Sequence, residues 1–212
     1  MGIKVLRESI APLLNDHPII IEAGAHIGRD TLKMSTQWPH ATIHAFEPVP
    51  TLFEQLVHNT QNYPNVICYP YALGAENCTA TMHVSSGRST ATSSLLEPEE
   101  YAQEFPDTLF NPQTVNVITL DSWAQQHQIA HVDFMWLDMQ GGELAALKAA
   151  KTLLATLSVL HIEIALSYRY KNNPLLDEVT TWLAFYGFEP LFTTLIKSTW
   201  GNTVFIKKAT DQ

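Results

Sequence analysis

Ile19-Ile20-Ile21-Glu22-Ala23-Gly24-Ala25-His26-Ile27-Gly28-Arg29-Asp30-Thr31 decides the fold. An apolar run ends at an acidic residue, a glycine turn follows, and a helical pattern begins. This is a strand–loop–helix in which the missing Cβ lets backbone come close to a ligand. A dinucleotide fingerprint needs G-x-G-x-x-G so that a pyrophosphate can rest on the helix N-terminus. Here the two later glycine positions hold His26 and Arg29, and the pattern is E-x-G-x-x-x-G. That is a poor pyrophosphate cradle and suits a nucleoside without phosphates, with S-adenosylmethionine the first candidate.

Outward from the loop, a second strand, Ala41-Thr42-Ile43-His44-Ala45-Phe46, ends at Glu47-Pro48. Glu47 lies about 20 residues beyond the glycines, where a doubly wound fold places the carboxylate that binds ribose hydroxyls. Each carboxylate oxygen has two lone pairs, so one group can accept from both hydroxyls. The alternative is a cap on the helix beginning near Thr51.

Strand and helix patterns alternate over the rest of the chain. An amphipathic helix over 3–14 (Val5, Leu6, Ile10, Leu13 and Leu14 on one side) precedes strand 18–23 and helix 28–37. Strand 42–47, helix 50–62 and strand 65–70 follow. Later come strand 132–138, helix 142–154, strand 157–164 and helix 175–186. Such alternation predicts a mostly parallel sheet covered on both faces. Two last strands, near 188–195 and 202–208, have no helix between them and are expected to form a hairpin, so one of them runs antiparallel. Segments 79–84 and 114–120 alternate in polarity and are expected to pair as an added ribbon. The polar and acidic stretch between them, 85–112, is expected to be either a lid over the substrate or a mobile surface loop.

The chain has 212 residues, 46% of them hydrophobic, and no linker composition interrupts it. One domain over 1–212 is expected, with 1–17 as an N-terminal helix. A net charge of −9 argues against a nucleic-acid surface, which would show a basic stripe. Cys68 and Cys78 are the two cysteines, which suggests a reducing compartment without a disulfide framework. No signal-peptide pattern and no membrane-length apolar run is visible. The expectation is a cytoplasmic protein that acts on a small-molecule or glycan acceptor, with the ribbon as a surface for a homodimer.

Taken in order, the blocks resemble the FkbM family of S-adenosylmethionine-dependent methyltransferases. They are Glu22-Ala23-Gly24-Ala25-His26-Ile27-Gly28, Phe46-Glu47-Pro48-Val49-Pro50 with Phe53, Leu56 and Asn59, and Ala72-Leu73-Gly74. Val117–Trp123, Val132–Glu143 and His161-Ile162-Glu163-Ile164 complete the set. The resemblance runs over roughly residues 18–208. Two positions depart from it: His26 stands where asparagine is frequent, and Gln140 replaces a common glutamate. The resemblance implies a Rossmann-like three-layer methyltransferase sandwich. Its sheet would have seven mostly parallel strands, with one antiparallel C-terminal strand and the added ribbon.

Methyl transfer is an in-line displacement at a sulfonium carbon, so the protein must align nucleophile, methyl and sulfur. It must also take a proton if the nucleophile is a hydroxyl. The cofactor set expected from the loop and the resemblance is Glu22, Gly24, Ala25, His26, Gly28, Asp30, Thr31, Glu47, Pro48, Ala72, Leu73 and Asp138. Asp30 and Thr31 are equally readable as first-turn caps. Asp138, Glu163 and His26 are the catalytic candidates. Asp138 and Glu163 close strands whose carboxyl ends face one crevice, and His26 sits in the first loop with a pKa near ~6.5 in its ordinary state. Arg88, Tyr168, Arg169 and Trp200 fall on expected loops and are candidates for the acceptor site. His161 reads as a core histidine. No histidine or cysteine spacing suggests a structural metal, and no metal site is expected; magnesium held by Asp138 and Glu163 stays open. Other readings are an N-methyltransferase of the same fold, a nicotinamide-dependent oxidoreductase, and a non-catalytic cofactor-binding module.

Overall fold

A computed structural model describes residues 3–208, with side chains from Leu6 onward. The Val5 side chain, expected on the apolar side of the first helix, lies outside the described residues. Seven strands form the main sheet in the order β3-β2-β1-β7-β8-β10-β9. They are β1 (Ile19–Ala23), β2 (Thr42–Phe46), β3 (Val66–Tyr69), β7 (Phe134–Leu137), β8 (Val159–Ala165), β9 (Phe188–Lys197) and β10 (Trp200–Lys207). β1 pairs in parallel with β2 and β7, β2 with β3, and β7 with β8. β10 pairs antiparallel with both β8 and β9, so it alone runs against the others. Parallel neighbours require crossovers, and the helices supply them. α1 (Ile3–Ile10), α2 (Arg29–Gln37) and α3 (Pro50–Thr60) cover one face. α5 (Leu120–His127), α6 (Glu143–Lys148), α7 (Lys151–Thr156) and α8 (Leu176–Phe185) cover the other.

Both faces are packed. Leu6, Ile10, Met34 and Trp38 meet Ile20, Ile43, Phe134 and Val159 on one side. Trp123, Leu147, Leu154 and Leu183 meet Ile21, Met135, Leu160 and Ile162 on the other. The β1, β7 and β8 strands are therefore mostly apolar on both faces, as doubly covered parallel strands require, with Glu22, His161 and Glu163 the polar exceptions.

The sequence reading is corrected at several elements. The first helix stops at Ile10 and continues as a 3-10 turn over Ala11–Leu13, because Pro12 has no N–H for an α-helical bond. Leu13 is consequently exposed rather than on the apolar side. The expected helix 142–154 is two helices, broken at Ala149-Ala150. Asp121, about 30 residues upstream, accepts the amides of Thr152 and Leu153 and so caps α7 from outside. The expected strand 114–120 gives way at Leu120 to helix α5, whose N-cap Thr119 accepts the Ser122 amide at 3.1 Å. Trp200, Gly201 and Asn202 open β10 rather than forming a loop.

The ribbon forms and extends well into the stretch expected to be a loop. β5 (Cys78–Gly87) pairs antiparallel with β6 (Thr108–Ile118), and β4 (Ala72–Leu73) pairs in parallel with β6. A short helix, α4 (Glu99–Glu104), lies in the connection. The irregular part of 85–112 thus shrinks to the chain on either side of α4. Met82, Val115 and Val117 pack on Val49 and Ala72, which sets this small sheet beside the carboxyl ends of β1 and β2.

Candidate active site

The carboxyl ends of β1, β2 and β7 converge because their loops bond to one another. Gly24 and Ala25 both donate backbone N–H to Phe46 O, at 3.1 and 3.0 Å, and Asp138 donates to Ala23 O at 3.0 Å. Gly24 has φ +83, and a Cβ there would lie 1.9 Å from Asp138 O. Only glycine allows the first and fourth parallel strands to turn so close together. Gly28 also has positive φ, but its Cβ would meet Leu56 and Thr60 of α3. It packs under the loop and does not line the cavity.

These ends border a cavity of about 430 Å³, within the size range of small-molecule sites. Four carboxylates, Glu22, Asp30, Glu47 and Asp138, line it. Glu22 is only 2% exposed and accepts the Thr31 hydroxyl at 2.5 Å. Burial pushes it up to about 8 against that hydrogen bond, and Asp30, Asp138 and Glu47 add repulsion. Glu47, 5% exposed, accepts the His26 amide on Oε2 at 2.9 Å and the Val49 amide on Oε1 at 2.8 Å. Burial still raises it to about 7. Each of its oxygens keeps a second lone pair for a ligand hydroxyl. Burial also raises Asp138. Crowded, desolvated carboxylates of this kind favour a cationic occupant.

His26 is half-buried, with φ 52, and lines the cavity. Its Nε2 lies 3.0 Å from Thr90 Oγ1, which ties the glycine loop to the segment after β5. Burial lowers its pKa, so the ring is neutral near pH 7 and can accept a hydrogen. Arg88, Ser89, Thr90, Ala91, Ser93 and Leu95 of that segment border the cavity. It forms one wall of the cavity.

Behind Asp138 sits Gln140, 7% exposed and at φ 56. Its Nε2 donates to Asp138 Oδ1 at 2.8 Å and to Glu163 Oε2 at 2.7 Å. Glu163 does not border the main cavity. It lines an adjoining space of about 20 Å³ together with Arg169, Tyr170 and Trp200, room for about one water. Burial and the neighbouring Asp138 raise Glu163 well above the ordinary carboxylate range.

Of the residues expected at the site, Glu22, Gly24, Ala25, His26, Asp30, Glu47, Pro48, Ala72, Leu73, Asp138 and Arg88 line the main cavity. Thr31 lies below, as the partner of Glu22. The other acceptor candidates are placed differently. The Arg169 guanidinium is buried between the rings of Tyr101 and Trp200, at 4.8 and 4.7 Å, and Tyr168 is exposed away from both cavities. His161 is a core residue stacked on Trp136 at 3.8 Å. The asparagine Asn59 braces the glycine loop by donating to Ile27 O at 2.8 Å. Among the described residues no group of three or more His, Cys, Asp or Glu is placed to hold a metal, and an amide stands between Asp138 and Glu163.

The sequence reading missed Arg29, Leu52, Tyr71, Met82, Leu95 and Trp136 on the cavity wall. Arg29 follows Gly28 directly and was within reach of the motif. Met82 and Leu95 enter only because the ribbon folds back over the strand ends, which no local pattern signals.

A family model described as the methyltransferase FkbM domain matches residues 22–190. Among curated proteins, 2-O-methyltransferase NoeI of Sinorhizobium fredii is 24% identical over 178 residues, covering 81% of this chain and 73% of that protein. Methyltransferase 1 of Beauveria bassiana is 28% identical over 151 residues, covering 66% of this chain and 60% of that protein. Among solved structures, magnesium protoporphyrin IX methyltransferase from Synechocystis PCC 6803, with bound SAM, superposes with TM-score 0.55 at 10% identity. The match covers 97% of this chain and 76% of that one. The Methanococcus jannaschii fibrillarin pre-rRNA processing protein gives TM-score 0.55 at 16% identity over 93% of this chain and 70% of that one. At such identities the structural likeness shows the fold.

Proposed function

The chain belongs to the methyltransferase FkbM domain family, S-adenosylmethionine-dependent enzymes, and from that membership we propose O-methylation of a hydroxyl on a sugar, glycan or small natural product. The observation that carries the site assignment is the set of three carboxylates, Glu22, Glu47 and Asp138, at the ends of three adjacent parallel strands and facing one cavity.

Glu47, held by two amides, takes the ribose hydroxyls on its free lone pairs. Ala72 and Leu73, with Leu52 and Met82 opposite, give the adenine an apolar slot. Glu22 faces the ammonium group of the cofactor, and Arg29 its carboxylate. The acidic lining favours the sulfonium over the neutral thioether left after transfer. The acceptor enters beside Arg88 and Thr90. Asp138 would hold the acceptor hydroxyl towards the bound methyl donor and take its proton as the methyl is transferred. Neutral His26 orients the acceptor from the other side. The catalytic advantage is alignment and water exclusion under the lid. S-Adenosylmethionine supplies the activated methyl group when bound.

NoeI being a 2-O-methyltransferase supports an oxygen acceptor. We take residues 1–212 as one methyltransferase domain, and place the reaction in the cytoplasm on the strength of the free thiols Cys68 and Cys78. No described helix is long and apolar enough to cross a membrane. The test is incubation with methyl-labelled cofactor and matched panels of sugars, oligosaccharides, phenols and amines. Label in an O-methyl ether with equimolar demethylated cofactor is expected. Label only in amines would overturn oxygen as acceptor, and cofactor binding without transfer would point to a binding module.

A further inference from the structure

Gln140 lines both the main cavity and the smaller space beside it. An ionised carboxylate only accepts hydrogen bonds, and the end of the Gln140 amide that faces Asp138 and Glu163 is the nitrogen. Both of its hydrogens are used, at 2.8 Å to Asp138 Oδ1 and 2.7 Å to Glu163 Oε2. Its Oε1 accepts from the Tyr170 hydroxyl at 3.0 Å, and that hydroxyl also lies 2.9 Å from Thr92 O. The Gln140 backbone carbonyl accepts the Ser94 hydroxyl at 2.8 Å. One residue therefore joins the ends of β7 and β8, the loop before α8, and the covering segment at Thr92 and Ser94. Asp138 Oδ1 is tied back by this bond, while Oδ2 makes no hydrogen bond among the described residues and Asp138 lines the cavity.

We propose that Gln140 is a positioning residue for the transfer: its amide holds Asp138 and Glu163 apart as two hydrogen-bonded carboxylates, leaves Asp138 Oδ2 to the ligand, and links both to the lid. This rests on the methyltransferase reading of the cavity. The surroundings make the amide matter. Asp30 of α2 repels charge on Asp138, Glu143 of α6 repels charge on Glu163, and the two carboxylates repel each other. Arg169, from the loop after β8, is the cation that opposes them. Gln140 is the neutral group that does the same by donating to each. Without it, two buried carboxylates side by side hold one proton between them.

The test needs no acceptor. Gln140→Leu and the near-isosteric Gln140→Glu are prepared with 13C-labelled aspartate side chains. The Asp138 carboxyl, assigned by its loss in Asp138→Asn, is titrated by NMR, and S-adenosylmethionine is titrated by calorimetry from pH 5.5 to 9. In both variants the Asp138 midpoint is expected to rise by about one pH unit or more, with cofactor binding displaced to higher pH by the same interval. An unchanged midpoint in folded variants would overturn the proposal, as would an unchanged pH profile of binding. Should both variants fail to fold, Tyr170→Phe, which frees the amide oxygen, is expected to shift the midpoint in the same direction by less. No shift there would equally overturn it. Failure of the wild-type protein to bind the cofactor would sink the methyltransferase reading instead, and the NMR titration would still judge the carboxylate pair.

Discussion

Gly24 and Asp138 touch without a side chain between them: a Cβ on Gly24 would stand 1.9 Å from the Asp138 carbonyl oxygen. The loops that leave β1 and β7 pass each other at this contact, one carrying His26 and the other Gln140, and both border the cavity.

Gly24→Ala forces an L side chain into φ +83 and into that carbonyl. Strain and overpacking each cost roughly 1–3 kcal/mol, so a fall in stability of about 2–6 kcal/mol is expected in denaturant unfolding. Cofactor binding should be abolished in whatever folds. A variant with wild-type stability and affinity would mean the two loops separate freely.

Glu47→Ala is expected to weaken S-adenosylmethionine binding by about 100-fold or more, since hydrogen bonds to a charged group are worth about 1.5–3 kcal/mol each. Glu47→Gln should be nearly as damaging. Two amides, from His26 and Val49, donate to the two oxygens, and a glutamine would point its own NH₂ at one of them. Calorimetry on both variants separates this from a helix-capping role, in which affinity would hold.

pH provides an independent check through Glu22. Its folded pKa, about 8, is raised above the ordinary 4.5 by burial, so the folded, empty protein binds a proton that the unfolded chain releases. That contribution to stability is full below about 4.5 and is lost as pH rises through about 8. The melting temperature of the empty protein should therefore fall from pH 6 to 9. A bound cation favours the ionised carboxylate, so affinity for the cofactor should rise over the same interval, with proton release. Glu22→Gln should make both profiles shallower, the raised Glu47 and Glu143 carboxyls keeping part of the dependence. Affinity that falls with rising pH would contradict the assignment.

Asp121→Ala removes the outside cap of α7. A lost cap costs about 1 kcal/mol, and in a chain of this size that lowers the melting temperature by about 2–4 °C. Cofactor affinity should not change, because Asp121 lies away from the cavity wall.

Local chemistry explains what was legible from the sequence. The strand–glycine–helix of 19–31, the carboxylate at Glu47 and the apolar strand ending at Asp138 each carry their signal within a few residues, and the cavity is built from those ends. The C-terminal hairpin was legible from the absence of a helix between its strands. Helix α5 was missed although Thr119 is a favoured cap, because the preceding strand pattern runs into it without a break. The interruption between α6 and α7 was beyond any local signal, since the group that makes it comes from Asp121. The same holds for the buried stacking of Arg169 between Tyr101 and Trp200, where a loop arginine beside aromatics looks exposed in sequence. Glu163 pointed to the right neighbourhood but not the right cavity, since only the turn at Gln140, with its positive φ, puts an amide between it and Asp138.

The central claim is that the 430 Å³ cavity is a methyl-donor site. Calorimetric titration with S-adenosylmethionine and with its demethylated product, beside NADH and beside Glu47→Ala, tests it most directly. Saturable binding of the first two with a preference for the sulfonium, no heat with NADH, and loss of binding in the variant are predicted. Absence of binding by both, or binding indifferent to Glu47, would contradict the account.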